Sequence, residues 1–380
     1  MSELIQKHDN RATIRWKLLT GASAMALTFA VASAAKAEDA DRPTVWLELG
    51  GQMEFLQGTG ATFTAPFMSV SPTPDLYKDV SLNDTQNLIR QAFGLEGSLT
   101  FQPENSDLIF SAGIRYGRAH GGHHRHAQGL GTPPVRVPYY GTFAKYDEPY
   151  VDAKTSSSES HAILDFSAGK EVGLGILGDH GTSNVNLGVR FAQFSSHSSA
   201  DIRGRPTIDF NQKYITFFYL SLPYSALWNQ YHLKGEAKRN FRGIGPSLSW
   251  NASSTLAGNQ DAGELNIDWG LNASLLFGRQ KAKTSHYTTA EHYYDGGLAA
   301  ATESPLYPAR ANHSTRSRSV TVPNVGGFIG LSYSYVDAKI SLGYRADVFF
   351  GAMDTGIDAR KSSNMVFHGP YASISIGLGD

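Results

Sequence analysis

The sequence of 380 residues carries 33 Lys and Arg against 34 Asp and Glu, so its formal net charge is −1 with His neutral. This balance gives no reason to expect a nucleic-acid partner. The chain has no cysteine, which excludes a fold held by disulfides. Its 39 glycines and 11% aromatic residues, with little helical patterning, favour an all-β protein.

The first residues are typical of a secretory signal. Basic Arg11, Arg15 and Lys17 precede an uncharged run over 18–35, and Ala35-Lys36-Ala37 makes a small-x-small cleavage site. An uncleaved anchor helix is the alternative, although polar residues dilute the run. We therefore expect a signal peptide over 1–37 and a mature domain over 38–380. After Ala37 no stretch resembles a transmembrane helix, so a membrane role would depend on strands.

The mature chain opens with strict alternation of apolar and polar side chains. In 44–55, Leu47 and Leu49 lie on one face, and Glu48 and Glu54 lie on the other. The same period of two recurs in 89–101 and again in 108–116, and a short polar turn joins these two segments. This pattern predicts strands with two different surroundings, the last two forming a hairpin.

The middle of the chain repeats the pattern with one irregularity. Alternation over 161–172 and 184–192 predicts two more strands, and a longer one follows over 230–253. Up to Lys238 its apolar row contains Leu233 and Ala237, and Lys234, Glu236 and Lys238 lie opposite with the polar, inward rows. Beyond Arg242-Gly243 the apolar row shifts by one residue. We interpret this change of phase as a β-bulge.

Four more candidate strands follow, and the first of them is the clearest. In 265–277 every residue on one face is apolar, and 325–333, 340–350 and the terminal run through Leu378 alternate in the same way. The connections between candidate strands alternate in length, and the long ones are 56–88, 117–160, 193–229 and 278–322. Strands of about 9–11 residues fit a tilted membrane crossing, and sorted loop lengths are typical of outer-membrane barrels.

We therefore predict an antiparallel transmembrane β-barrel of about 10 strands with long external loops. A hidden hairpin around "YITFFYLSL" (214–222) would raise the number to 12. Outer-membrane lipid is then an expected partner, and the expected location is the bacterial outer membrane.

The polar face of each strand should line the barrel interior. The lumen-facing candidates are Glu48, Arg90, Glu96, Arg115, Asp165, Arg190, Asp268, Lys339, Arg345 and Asp347. The function that we expect from such a lumen is a passive pore for small polar solutes. The alternative is a plugged barrel in which these charges pair with each other and the external loops serve a structural or surface-binding role. Ten or twelve strands lie near the size at which side chains fill the interior.

The segment "AHGGHHRHAQG" is predicted to be an external loop. It contains four histidines, which are His120, His123, His124 and His126. Imidazoles at this density can bind zinc, copper or nickel. A flexible polar loop that merely tolerates histidine is the alternative, because no Cys or carboxylate follows at matching spacing.

Enzymatic motifs and cofactor motifs are not found, so we expect neither an enzyme nor a cofactor. Phosphate-binding glycine motifs and a Gly-x-Ser-x-Gly elbow are missing from the sequence. A third hypothesis is a hydrolase at the barrel rim, for which Asp152, His161, His286 and Asp295 are the candidate residues.

Several segments resemble the Legionella-type major outer-membrane protein family. They are "FRGIGPSLSW" (241–250), "NVGGFIGLSY" (324–333), "ISLGYRADVFFGAMDTGIDAR" (340–360), "FHGPYASISIGLG" (367–379) and, more weakly, "LELGGQ" (47–52). The resemblance implies an exported, pore-forming barrel that is inserted by the barrel-assembly machinery. One departure is the end of the chain, Leu378-Gly379-Asp380, because such barrels usually end on an aromatic residue.

Overall fold

A computed structural model describes residues 44–57, 90–103, 106–128, 150–172, 181–205, 212–217, 220–259, 262–295 and 302–378. The predicted signal peptide lies outside these residues. Within them, no helix is long and apolar enough to cross a membrane.

The described residues form eleven strands in a single antiparallel sheet. They are β1 (Thr44–Gln57), β2 (Arg90–Gln102), β3 (Leu108–Gln128), β4 (Tyr150–Glu171), β5 (Gly181–Arg205), β6 (Gln212–Phe217), β7 (Leu220–Asn259), β8 (Gly263–Asp295), β9 (Thr302–Tyr335), β10 (Ala338–Asp354) and β11 (Ser362–Leu378).

Ten of these strands close into a barrel, which confirms the predicted fold class and the lower strand number. From β1 to β5 and from β7 to β11 each strand pairs with the next one in sequence, β1 pairs with β11, and β5 pairs with β7. The short strand β6 pairs only with the first residues of β7. The hairpin suspected around residues 214–222 therefore exists, but it lies outside the ten-stranded wall.

The two ends of the barrel differ in their connections. At the end where Val45 of β1 pairs with Leu378 of β11, residues 336–337 join β9 to β10. Asn259 of β7 pairs with Gly263 of β8 at the same end. We call this the turn end and the other the mouth. Toward the mouth the strands are long, with 40 residues in β7, 33 in β8 and 34 in β9. Many residues assigned to external loops from sequence are thus strand residues that extend the wall.

An apolar band surrounds the outside of the barrel near the turn end. On β8 the outward row runs from Leu265 to Phe277, and Leu271 and Phe277 are more than half exposed. At ~3.3 Å per residue and a ~45° tilt, this row is about 28 Å high, which matches the apolar band of an outer-membrane barrel. Corresponding rows on β9 and β10 include Ile329 and Leu342.

The apolar face of the wall changes sides above this band. On β7, Ile244 and Leu248 are exposed outward, whereas Leu233, Ala237 and Phe241 are buried and lie inward. The pairing of β5 with β7 continues without a shift through Arg242 and Gly243. The predicted β-bulge there is wrong. The phase changes because lipid, which favours outward apolar side chains, ends near Arg242 and water begins.

The same change of medium explains why three charged residues lie on the face opposite to the one that the sequence predicts. The sequence predicts that three charged residues of β7 face the interior, namely Lys234, Glu236 and Lys238. They lie instead on the outward face of β7, in the part of the strand that extends beyond the apolar band toward the mouth, and Lys234 and Lys238 are exposed. The bulges of β7 lie elsewhere, between Ala226 and Trp228 and between Thr255 and Ala257.

Candidate functional site

A polar cavity of about 470 Å³ occupies the part of the lumen nearest the turn end. Its lining reaches Thr100 and Lys339, which lie within two residues of strand ends there. The wall carries serine and asparagine side chains from most of the strands. Phe328 and Tyr371 are also in the lining, and the Arg345 guanidinium lies 4.7 Å from the centre of the Tyr371 ring.

Ion pairs cross the lumen at the inner end of this cavity. Arg115 Nη1 on β3 lies 2.6 Å from Asp347 Oδ2 on β10, and Asp347 is only 2% exposed. Arg345 pairs with Glu96 on β2. A Cβ at Gly326 would collide with the Asp347 carboxylate, so the glycine makes room for this layer. The strands that these pairs join are not neighbours in the wall.

Arg190 on β5 is the most connected side chain of this layer. It donates to both carboxylate oxygens of Asp165, at 2.6 and 3.1 Å. Its Nη1 also donates to the amide oxygens of Asn272 at 2.7 Å and Asn324 at 2.5 Å. One buried guanidinium therefore links four strands, because Asp165, Asn272 and Asn324 belong to β4, β8 and β9.

The structure places most of the predicted lumen residues in this region. Those in the cavity wall are Glu48, Glu96, Arg115, Asp165, Arg190, Asp268, Lys339 and Arg345. Asp347 lies in the ion-pair layer, while the side chain of Arg90 lies outside the described residues. Lys339 Nζ is 2.8 Å from Asp268 Oδ2, so four oppositely charged pairs account for eight of these ten residues. Glu48 accepts a hydrogen bond from Ser98 Oγ at 3.2 Å.

An apolar plug fills the lumen on the mouth side of the ion pairs. Each of the ten barrel strands contributes at least one buried side chain to it. Its members are Leu56, Ala92, Ala119, Ile163, Ala192, Phe194, Phe241, Leu276, Val322, Phe349, Ala352, Met353, Met365 and Phe367. Leu276 is fully buried here, whereas its neighbours Leu275 and Phe277 are 40% and 55% exposed on the lipid side.

Phenylalanine rings in the plug meet across the barrel. Phe194 lies on β5 and Phe367 on β11, which are five positions apart in a wall of ten, and their ring centroids are 5.5 Å apart. Phe349 packs edge-on against Phe194 with centroids at 4.7 Å. His161 lies against Phe367 at 4.3 Å and 3.2 Å from Glu54 Oε1. Side chains therefore close the lumen at this level.

The connection between β10 and β11, residues 355–361, folds over the plug, and we call it the cap. Arg316 on β9 holds it with three groups: Nε pairs with Asp354 at 2.9 Å, and Nη1 and Nη2 donate to the carbonyls of Ile357 and Gly356, both at 2.7 Å. Thr284 Oγ1 also donates to the Ile357 carbonyl at 2.8 Å. The cap thus joins the wall through side chains of β8 and β9.

Two ionisable groups at the cap have pKa values that are shifted by neighbouring residues and by burial. Burial of Arg239 lowers its pKa to about 10, and the nearby Arg316 adds to this against the opposing charge of Asp354. Burial would raise the pKa of Asp358, but hydrogen bonds from His286 and Asn312, both at 2.7 Å, outweigh it and leave that pKa below its usual range.

The predicted histidine loop is a strand. His120, His123, His124 and His126 belong to β3, where they pair in register with residues of β4. Alternation along the strand turns His123 to the face opposite His120, His124 and His126. His124 Nε2 lies 2.5 Å and His126 Nδ1 3.9 Å from Asp152 Oδ1. In the part of the chain that the structure describes, no three His, Asp or Glu side chains are grouped to hold a metal ion.

Of the rim-hydrolase candidates, the three whose side chains the structure describes, Asp152, His161 and His286, are not brought together. Asp152 is beside His124, and His286 is beside Asp358. His161 is buried in the lumen next to Glu54. The side chain of Asp295 is outside the described residues.

Sequence reasoning missed the plug and the cap. A signal for the plug exists, because the inward row of β10 continues from Arg345 and Asp347 to Phe349. Leu233, Ala237 and Phe241 on β7 continue an inward row in the same way. Arg316 and Arg239 both donate hydrogen bonds to backbone carbonyls of the cap. The sequence around either residue shows no pattern that predicts these contacts, because they join residues that are far apart in the chain.

The closed antiparallel wall and its outward apolar band define a β-barrel of the outer-membrane class. No family model matches the sequence, and no match to a curated protein is found. Among solved structures, the outer membrane protease OmpT from Escherichia coli is similar, with 9% identity over 91% of this chain and 99% of that chain and a TM-score of 0.36.

The CymD monoaromatic hydrocarbon channel is similar with 7% identity over 88% of this chain and 89% of that chain, at a TM-score of 0.21. The toluene transporter TodX of P. putida is similar with 8% identity over 90% of this chain and 91% of that chain, at a TM-score of 0.18. Likeness at this level carries no argument about function.

Proposed function

We propose that the protein is a bacterial outer-membrane barrel with a closed lumen, whose function is carried out by the wall and connections at its mouth. This is a structural or surface-binding role rather than passive transport. The observation that carries the proposal is the contact of Phe194 with Phe367 across the barrel. A polar solute would have to displace these rings or cross a layer of apolar side chains, at a high desolvation cost.

The interior charges support the same proposal. A water-filled pore would be expected to leave charged groups solvated, whereas Asp347 and Arg190 are almost completely buried in ion pairs and amide contacts. Arg316 and Thr284 add a second closure by fixing the cap above the plug. The plug and the cap thus close the lumen at two successive levels, which supports a role for the mouth rather than for the interior.

A passive pore is the second candidate, favoured by the polar cavity at the turn end. For that function the plug and the cap would have to move. Membership of the Legionella-type family stays a prediction, as do the signal peptide and the need for the barrel-assembly machinery.

Recording in planar lipid bilayers tests the proposal. The refolded protein, verified by heat-modifiable migration in gels, is expected to insert and to produce no discrete current steps. Reproducible single-channel steps from the unmodified protein would overturn the closed-lumen proposal and favour the pore. A porin of known conductance, inserted into the same membranes, serves as the positive control.

A further inference from the structure

Five basic side chains lie together on the outside of β7 and β8, beginning at the level where the apolar band ends and continuing toward the mouth, and we call them the belt. They are Lys238, Arg242, Arg279, Lys281 and Lys283, and all are exposed. Arg242 and Arg279 lie directly opposite each other in the pairing of these strands, as do Lys238 and Lys283. Like charges in directly opposed positions destabilise a sheet, so an anion held between them would relieve the repulsion.

The belt has little compensation from acidic groups. Lys238 Nζ pairs with Glu236 at 2.7 Å. For Arg242, Arg279, Lys281 and Lys283, the described residues supply no ion pair. Hydroxyl groups flank the belt instead, because Ser319, Ser317 and Thr315 of β9 pair with Arg279, Lys281 and Lys283. Guanidinium, ammonium and hydroxyl donors together suit phosphate oxygens.

The height of the belt indicates the source of the phosphate. Ile244 and Phe277 are the last opposed pair of the apolar band on these strands, and Arg242 with Arg279 is the next outward pair. Two residues of a tilted strand rise about 5 Å. Arg242 and Arg279 therefore lie where hydrocarbon gives way to lipid headgroups, and the lysines of the belt follow at about 9–14 Å above the last apolar pair. This continuity with the apolar band favours a membrane lipid over a soluble anion.

We infer that the basic belt binds the phosphorylated headgroup of a lipid in the outer leaflet. This inference rests on the proposed membrane location, but not on whether the lumen is closed. The lipid would contact the barrel with its acyl chains along Ile244 and Phe277 and with its phosphate at Arg242 and Arg279.

Native mass spectrometry of the refolded protein in neutral detergent tests the inference. Phosphatidic acid is titrated against phosphatidylcholine of the same acyl chains, and inorganic phosphate is titrated separately. The variant is Arg279→Gln/Lys281→Gln/Lys283→Gln. The matched control is Lys154→Gln/Lys170→Gln/Arg203→Gln, which removes the same charge from exposed positions away from the end of the apolar band.

The unmodified protein should retain phosphatidic acid in preference to phosphatidylcholine. The belt variant should bind phosphatidic acid on the order of 100-fold more weakly, because each basic residue near a charged lipid surface strengthens binding roughly fivefold. The control should bind as the unmodified protein does. An equal loss in both variants, no loss in the belt variant, or equal competition by inorganic phosphate would each overturn the inference.

Heat-modifiable migration shows whether a variant has folded, and therefore distinguishes loss of lipid binding from loss of the fold. A variant that migrates as a folded barrel and binds no phosphatidic acid has lost the belt alone. A protein that conducts ions yet keeps its lipid preference would refute the closed lumen and leave the inference standing.

Discussion

Phe194 and Phe367 lie on opposite strands of a ten-stranded wall, and their ring centroids are 5.5 Å apart. The neighbouring Phe349 is completely buried against both rings, whereas Phe350 is 43% exposed on the outside. The plug and the lipid-facing surface can therefore be altered separately at adjacent positions.

Removing two plug rings should open the lumen. We expect Phe349→Ala/Phe367→Ala to produce current steps in planar bilayers where the unmodified protein gives none, and to lower the free energy of unfolding by about 3–5 kcal/mol for each ring. The control Phe350→Ala/Ile374→Ala shortens two outward side chains and should stay silent. Silence of a folded plug variant would mean that the layer of ion pairs or the cap closes the lumen alone.

Breaking the ion pair of Asp347 with Arg115 should be costly. Asp347→Asn leaves the Arg115 guanidinium without its carboxylate in the barrel interior, and we expect a loss of about 3–5 kcal/mol in the free energy of unfolding. Urea unfolding in lipid vesicles provides the measurement. Asp107→Asn, which removes an exposed partner of Lys170, should cost less than about 0.5 kcal/mol. Similar losses in both variants would contradict this account.

The cap should loosen when Arg316 is replaced. Because the chain has no cysteine, Thr355→Cys introduces a single buried thiol whose reaction with a maleimide reports opening. Adding Arg316→Gln removes the pair with Asp354 and both carbonyl contacts, and should speed labelling by about 10- to 100-fold. Arg318→Gln alters an exposed residue of the same strand and should leave the rate unchanged. Equal rates in the two variants would exclude Arg316 as the anchor.

Acid should weaken the contact of the cap with β8. The pKa of Asp358 is lowered in the folded protein, so its carboxylate contributes stability above its unfolded pKa of ~3.9, and this contribution is lost as the pH falls through the folded value. The stability difference between the unmodified protein and Asp358→Asn should therefore be largest above about pH 5 and vanish at lower pH. Urea unfolding at a series of pH values measures it, and a constant difference would disprove the assignment.

His286→Phe provides a second test of the same contact. It removes the hydrogen-bond donor that lowers the pKa of Asp358, and should reduce the pH dependence attributed to that carboxyl group. An unchanged dependence would show that Asn312 alone holds the carboxylate.

Alternation in the sequence was sufficient to predict the barrel because lipid imposes it directly. Residues 265–277 needed no other information, since hydrocarbon accepts only apolar side chains on the outward face. The same rule failed on 230–253, where the apolar row moves inward once the strand enters water. The error came from assuming one medium along the whole strand.

Contacts across the lumen could not be predicted in the same way. Arg115 and Asp347 are 232 positions apart, and nothing in either neighbourhood specifies the other. Leu276 lies between Leu275 and Phe277 in an unbroken apolar run, so composition alone does not separate plug from surface. Only the closed geometry of the wall decides which residues meet.

Pairing of β1 with β11 has a consequence for biogenesis. Val45 needs Leu378 as its partner, so ribosomal synthesis must reach the final strand before the first one can complete its hydrogen bonds. Until then the nascent polypeptide exposes strand edges and the rings of Phe194 and Phe349 together. The barrel can therefore close only after the whole chain from β1 to β11 has been made.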